Sequence, residues 1–318
     1  MRKNVRVITC DTTRKQLINQ FKRLVSLDEF RELTDAQYSH NSLLAMRKDW
    51  NLFVEFCQRK QVCPLPASAT AVRLFLERES SQRKYATLKR YAVTVSLVHK
   101  LLALSDPTSV TMVRTLMSKL RLDKKMDAHT TTAFTRQHLD KLTNTLSRST
   151  SPVDVRNLAI YHLMFECMLK RMELKRLSLK DLYQGGSETA LILSNDRYPL
   201  SQNAAHYLTK WLQVRGNNQG ALFSAIDKHG NVSQNALDDS SIYRILRAAS
   251  DRLKLDVNFS GQSLRVGAVA EMAARGVKVK DIQQYGRWQS AAMPYQYLGN
   301  RAQAAAERLI FKTFKPWG

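Results

Sequence analysis

The sequence predicts a mainly helical protein of two domains, the second carrying a small β-hairpin. Three observations predict it. Apolar residues recur at three- and four-residue spacing through most of the chain. A length of 318 residues suits two domains. Between them, residues 122–133 (LDKKMDAHTTTA) are charged and then polar with no apolar period, as a connecting segment should be.

Taken in order, residues 1–35 are a mixed, basic N-terminal segment. Leu17, Ile18, Phe21, Leu24 and Val25 predict a helix over 15–25. Ser39 to Ser42 offers N-cap chemistry for a helix over 43–59, with Leu43, Met46, Trp50, Phe53, Val54 and Cys57 as its apolar stripe. Pro64 and Pro66 break it, and Val72, Phe75 and Leu76 mark a helix over 69–79. Over 82–104, Leu88, Val95, Val98, Leu101 and Leu102 face inward while Arg83, Lys84, Lys89 and Arg90 face out. A helix over 109–120 completes a helical first domain of 36–122, and 123–133 is the linker.

The second domain, 134–300, opens with Thr135 as a helix cap. Ser151-Pro152-Val153-Asp154 starts a mostly buried helix over 152–169: an N-cap serine, proline at the first helical position and an acid in the first turn. Gly185-Gly186 is a turn, and 190–193 with 197–200 reads as the hairpin. Helices follow over 201–214 and 240–253, then a small-residue helix over 266–274, a break at Gly276 and a short helix over 279–285. The last segment, 301–318, holds a helix over 301–314 with Ala304, Ala305, Leu309, Ile310 and Phe314 as a stripe.

Composition narrows the function. The net charge is +23, and it is not confined to a tail: residues 1–127 carry 24 basic and 12 acidic side chains, the remainder 26 and 15. Two basic domains suit a polyanion, nucleic acid above all. No apolar run is long enough to span a bilayer, and no basic amphipathic segment carries the aromatic anchors of a membrane-surface helix. The start, MRKNVRVITCDTTRK, lacks a secretory apolar segment. Cys10, Cys57, Cys63 and Cys167 form no CxxC pair, so reduced thiols in an intracellular, cytoplasmic protein are expected. No Asp/Glu/His cluster has metal-ligand spacing, which argues against a metal nuclease.

The stretch 260–297 carries the chemistry: SGQSLRVGAVAEMAARGVKVKDIQQYGRWQSAAMPYQY. It sets a polar turn, an arginine on a helix, a helix-turn-helix, Gly286-Arg287-Trp288 and a tyrosine nine residues after the tryptophan. This ordered set resembles the catalytic half of the tyrosine recombinases, the Cre-like ones most closely, which read S-G-H-S-x-R-V-G, then G-x-W, then the nucleophilic tyrosine. Residues 173–182, ELKRLSLKDL, resemble the family's R-x-x-E-L-x-x-L-x-x-x-D segment. The resemblance runs from about Ser39 to Phe314, specific in the last third and architectural before Thr135.

The resemblance implies a C-shaped clamp around duplex DNA, a tetramer that exchanges strands through a Holliday junction, and no metal or cofactor. The target would be an inverted-repeat DNA site, and the source bacterial, phage or plasmid. Tyr297 would be the nucleophile, favoured over Tyr295 by its spacing from Trp288; Arg265 would clamp the scissile phosphate and Trp288 donate one hydrogen bond to it. The implied DNA-binding set is Asn41, Ser42, Lys48, Arg83, Lys84, Lys89, Arg90 and Arg244, and the last helix would dock on a neighbouring protomer. A tyrosine phenol is a weak nucleophile at a pKa near 10, so cations must help it ionise.

Three positions depart from the family pattern. Gln262 stands where the family has histidine; it can hydrogen-bond a phosphate but cannot shuttle a proton. Lys170 holds the first arginine position, keeping the charge and losing the fork, with Arg171 beside it. The hairpin lysine has no match, and Arg197 is the cation at that turn. These departures keep open a recombinase fold retained for DNA binding alone; a second alternative, a type IB topoisomerase-like or telomere-resolving enzyme, shares the chemistry but not the product.

Overall fold

The computed structural model describes residues 6–125, 131–186, 188–216 and 219–313, with backbone alone for 311–313. The chain divides into two compact units, Met1–His129 and Thr130–Trp317.

The first unit is helical: α1 (Asp11–Phe21), α2 (Leu27–Leu33), α3 (His40–Arg59), α4 (Ala69–Ser80), α5 (Tyr85–Leu101), a 3-10 turn over Pro107–Ser109, and α6 (Thr111–Asp123). The helix expected over 15–25 runs instead from Asp11 to Phe21, and α2, beyond the expected span, is a second helix. Ser26 forms a reciprocal cap: Glu29 N–H donates to its Oγ at 3.2 Å, and its own N–H donates to the Glu29 carboxylate at 2.6 Å. That cap starts α2 and leaves α1 to end at Phe21. The core is aromatic. Trp50 packs on Phe21 and Phe53, and Phe53 and Phe56 on Phe75. The Trp50 indole N–H donates to the Phe21 carbonyl at 3.2 Å and so ties α1 to α3. Buried His99 accepts from the Ala67 N–H at 2.9 Å, while its other ring nitrogen lies 2.8 Å from the Val95 carbonyl. The helix α6 runs to Asp123, so the expected linker begins as helix; its residues 126–130 lie outside the described residues.

The second unit comprises α7 (Arg136–Leu146), α8 (Pro152–Glu166), α9 (Arg171–Arg176), a 3-10 turn (Leu179–Asp181), β1 (Leu182–Gly185), β2 (Glu188–Leu193), β3 (Asp196–Pro199), α10 (Gln202–Arg215), β4 (Ser224–Ile226), β5 (Val232–Ala236), α11 (Asp239–Arg252), α12 (Gly261–Ala274), α13 (Val279–Tyr285), α14 (Ala292–Tyr297) and α15 (Arg301–Thr313). Its centre is α8, buried continuously from Arg156 to Phe165, as its lack of a polar face requires. It stops at Glu166 rather than 169 because Met168 turns left-handed (φ 48°) and Leu169 N–H bonds back to the Met164 carbonyl.

The expected hairpin gains a third strand, in antiparallel order β1-β2-β3. Ser194 and Asn195, both at positive φ, make the two-residue β2–β3 turn that suits strand twist. The β4–β5 pair was not foreseen; these strands are short and carry no alternating pattern. At the C-terminal end, Ala304 of α15 is buried while Leu309 and Ile310 are 64% and 56% exposed. Phe314, the last member of the expected stripe, lies outside the described residues. No helix among the described residues is long and apolar enough to cross a membrane.

Candidate active site

The site is built from four elements of the second unit: the turn between α8 and α9, the first turn of α12, the Gly286–Trp288 turn after α13, and the end of α14. Ser260 starts α12 with a reciprocal cap: Ser263 N–H donates to its Oγ at 3.3 Å, and Ser260 N–H donates to the Ser263 Oγ at 3.1 Å. Gln262 and Arg265, three residues apart, then share a face.

The Arg265 side chain is buried and held on three sides. Its Nη1 donates to the Met168 carbonyl and its Nη2 to the Gly286 carbonyl at 2.7 Å. Its guanidinium carbon lies 4.0 Å from the centre of the Trp288 ring. Burial, with Arg287 nearby, lowers its pKa to about 10, so it stays cationic near neutral pH. Gly286 makes the stack possible: a Cβ there would lie 1.9 Å from the Trp288 ring, so a side chain at 286 would push the indole off the arginine. That is the physical content of the Gly-x-Trp motif in this chain.

Tyr297 ends α14, half-buried, with its ring edge-on to Trp288 at 5.7 Å and 78°. Burial pushes its phenol above the ordinary tyrosine value; the nearby Arg265 charge and the polar Gln262 side chain pull the other way and lose. An open depression of about 490 Å³ gathers these groups, lined by Lys170, Arg171, Tyr243, Ser260, Gly261, Gln262, Arg265, Met293 and Tyr297. Tyr297 lines it and Tyr295 does not.

Lys170 and Arg171 both line the depression, although neighbours on a helix point about 100° apart. Lys170 is the N-cap of α9, with extended backbone (φ −77°, ψ 152°), and Arg171 is the first helical residue. Lys170 Nζ pairs with Glu173 at 3.1 Å. The Arg171 side chain makes no hydrogen bond or ion pair with a described residue. It lies across Gly261, where a Cβ would come within 2.9 Å of it.

Arg197 is not brought to this site. It stacks on Tyr183 at 3.9 Å and pairs with Glu188 at 3.4 Å on the sheet surface. Arg244 is exposed on α11, bonded to the Ser241 hydroxyl, one residue from depression-lining Tyr243.

In the first unit, Asn41 and Ser42 lie in the first turn of α3, with Ser42 bonded to Ser39, and Lys48 is exposed on the same helix. Lys84 precedes α5, Lys89 is exposed on it, and Arg83 lies 3.6 Å from Glu79. Arg90 differs from these. Its Nε and Nη2 donate to buried Asp49 at 2.7 and 2.8 Å, and these bonds raise its pKa. The fork expected to face a partner joins α5 to α3.

Residues 132–304 match the Phage integrase family, more than half of the chain. The chain belongs to the phage integrase family. Among characterised members of the family, it is similar to the recombinase Cre of Escherichia phage P1, 23% identical over 92% of this chain and 90% of Cre. It is also similar to an integrase/recombinase XerD homologue of Selenomonas ruminantium, 24% identical over 81% of each chain. Among solved structures, the Tn1549 transposon integrase in complex with transposon right end DNA superposes at a TM-score of 0.65 and 13% identity, covering 92% of this chain and 99% of that one. The XerH site-specific recombinase bound to its difH substrate gives 0.61 and 13%, covering 93% and 87%. The fold is thus that of the tyrosine recombinases, and the family is one of DNA strand cleavage and rejoining.

Two residues behind the depression escape sequence reasoning. Glu173 was legible only as a motif letter and Arg287 only as the variable middle of Gly-x-Trp. In the structure Arg287 Nε and Nη2 donate to the Glu173 carboxylate at 3.1 and 2.9 Å. The signal available in the sequence was a charged residue beside Gly286; the left-handed backbone there (φ 57°) is seen only in the structure.

Proposed function

We propose that this chain is a site-specific DNA recombinase that cuts and rejoins strands through Tyr297. The observation that carries the reading is the convergence of Tyr297, Arg265, Gln262, Lys170 and Arg171 on one depression. The Tyr297 oxygen attacks the scissile phosphorus, forming a 3′-phosphotyrosyl ester and releasing a 5′ oxygen that takes up a proton. A second DNA hydroxyl then attacks the same phosphorus, the tyrosine leaves and recovers its proton, and the strand is resealed.

Arg265 and Arg171 hold the non-bridging oxygens, Arg171 supplying the fork that lysine at 170 lacks. Gln262 donates a hydrogen bond to the same phosphate. Because the β2–β3 turn sends no lysine to the site, the proton for the 5′ oxygen is assigned to Lys170, the lysine on the depression. Trp288 holds Arg265 under the phosphate. Each unit contributes cations to a DNA duplex, with Lys48, Lys84, Lys89 and Arg244 as the available contacts. The exposed Leu309 and Ile310 of α15 are proposed to dock on a neighbouring copy, in a tetramer that exchanges strands through a Holliday junction.

Covalent trapping tests this reading. Full-length protein is incubated with nicked suicide duplexes cut from the DNA that flanks its gene, and SDS-resistant adducts are scored. An adduct lost in Tyr297→Phe and kept in Tyr295→Phe is expected. Specific binding without any adduct would instead support a recombinase fold kept for DNA binding, the reading that Gln262 and the lysine-free hairpin favour.

A further inference from the structure

We propose that Arg287 is a positioning residue for the strand-cleavage chemistry, an inference that rests on the recombinase reading above. Its side chain is 9% exposed and its backbone left-handed at φ 57°, where glycine sits freely and L side chains rarely do. A residue held there needs compensating contacts. Arg287 has them. Besides its two bonds to Glu173, Nη2 donates to the Cys167 and Met168 carbonyls at 3.0 and 2.9 Å, and Nη1 donates to the Tyr285 carbonyl at 3.0 Å. The guanidinium also lies 4.9 Å from the centre of the Tyr198 ring.

Two of those acceptors are shared with the site. The Met168 carbonyl that Arg287 holds also accepts from Arg265. The Glu173 carboxylate that Arg287 holds also accepts from the Lys170 N–H at 2.8 Å and pairs with Lys170 Nζ. Arg287 is therefore one hydrogen bond removed from Arg265 on one side and from Lys170 on the other. It does not line the depression, so it acts through these groups and not on the phosphate.

Only a planar fork serves this place. An ammonium has three donors around a point and cannot engage a carboxylate side-on while reaching carbonyls in two other directions. Removing the fork leaves Glu173 facing Lys170 alone and frees the Met168 carbonyl to move with Arg265. Both cations then lose their fixed distance to the reacting phosphate, and such misplacement is expensive in rate.

Two variants of the full-length protein separate positioning from folding. Arg287→Gly suits the left-handed backbone and removes the fork; Arg287→Lys keeps the charge and loses the planar geometry. Both are compared with wild type by circular dichroism, by affinity for the suicide duplex and by the rate of adduct formation. We expect a folded protein, a Kd within about twofold of wild type, and an adduct rate slower by roughly 100-fold or more. Millimolar guanidinium should partly restore Arg287→Gly and leave Arg287→Lys unchanged. Adduct formation at the wild-type rate would overturn the proposal, as would parallel loss of binding and rate without guanidinium rescue.

A second measurement needs no cleavage. Phenylglyoxal labelling of Arg265, read by peptide mass spectrometry, should rise severalfold in Arg287→Gly, because the shared carbonyl no longer confines the guanidinium. Unchanged labelling would overturn the proposal even if wild type forms no adduct, an outcome that would count separately against the recombinase reading.

Discussion

The Arg265 guanidinium carbon lies over the Trp288 indole, 4.0 Å from the ring centre, while the same indole meets Tyr297 edge-on. One tryptophan thus sets the height of the cation proposed to clamp the phosphate and the direction of the proposed nucleophile. Changing either partner should slow chemistry without releasing DNA. Arg265→Lys keeps the charge but loses the planar fork that spans the Met168 and Gly286 carbonyls. Its adduct rate should fall by roughly 10²–10³-fold, the usual loss for one transition-state donor, with duplex affinity within a few-fold of wild type. Equal loss of affinity would place Arg265 in ground-state binding instead.

Lys170 as proton donor has a sharp chemical signature. A duplex with sulfur in place of the 5′ bridging oxygen releases a thiolate, which needs no proton. Lys170→Ala should lose roughly 10²–10⁴-fold on normal DNA and recover most of that loss on the sulfur-bridged strand. Arg171→Ala should be slow on both, since its task is charge on the non-bridging oxygens. The reverse pattern would exchange the two roles.

The Tyr297 phenol carries a testable sign. Burial holds its folded-state pKa above that of a free tyrosine. In the DNA-free protein, the phenolate absorbance lost between wild type and Tyr297→Phe should therefore appear at higher pH than the exposed tyrosines titrate. A midpoint below 10 would mean that Arg265 and Gln262 outweigh burial, and that the nucleophile is pre-ionised before DNA binds.

Lys89 and Arg90 are neighbours on α5 with different work to do. Arg90 serves Asp49, which is 2% exposed; losing the guanidinium leaves a buried carboxylate unpaired. Because the arginine side chain itself is half exposed, we expect Arg90→Ala to cost about 1–3 kcal/mol in denaturant unfolding of the first unit, below the range for a fully buried pair. Lys89→Ala should leave that stability within about 0.5 kcal/mol. It should instead reduce the slope of log affinity against log salt by about 1.

His99 makes the first unit acid-sensitive. Burial lowers its folded-state pKa below the ordinary 6.5. The unfolded chain therefore takes up the proton first as pH falls. The contribution is complete above about 6.5 and declines as pH drops from there toward the folded-state value. Urea unfolding at stepped pH should show this decline, and His99→Gln should remove it; an unchanged slope would assign the acid sensitivity to other groups.

Much of the fold and part of the site were legible in the sequence. The apolar periods mark α3, α4 and α5 to within a few residues, because a helix face that packs on a core must repeat its own spacing. The order Ser260, Arg265, Trp288, Tyr297 is local chemistry on adjoining elements, so its pattern survives as text. The strands β4 and β5 were not legible, since they are short, half-exposed and paired only with each other. The end of α1 at Phe21 was missed because Leu24 and Val25 extend its apolar spacing, and α2 was missed because the cap that starts it pairs Ser26 with Glu29.

The sequence by itself determined most of the helices, which residues carry the cations and phenol, and in what order they arrive. Only the tertiary structure decided where the forks of the arginines are used. Lys170 and Arg171 share a depression because an N-cap backbone is extended, not helical. Arg90 is bound to a carboxylate 41 residues away and Arg287 to one 114 residues away. Arg197 rests on Tyr183 across the sheet. A guanidinium reaches across several ångströms in any of its rotamers, and its partner is set by packing between distant segments, which no local pattern encodes.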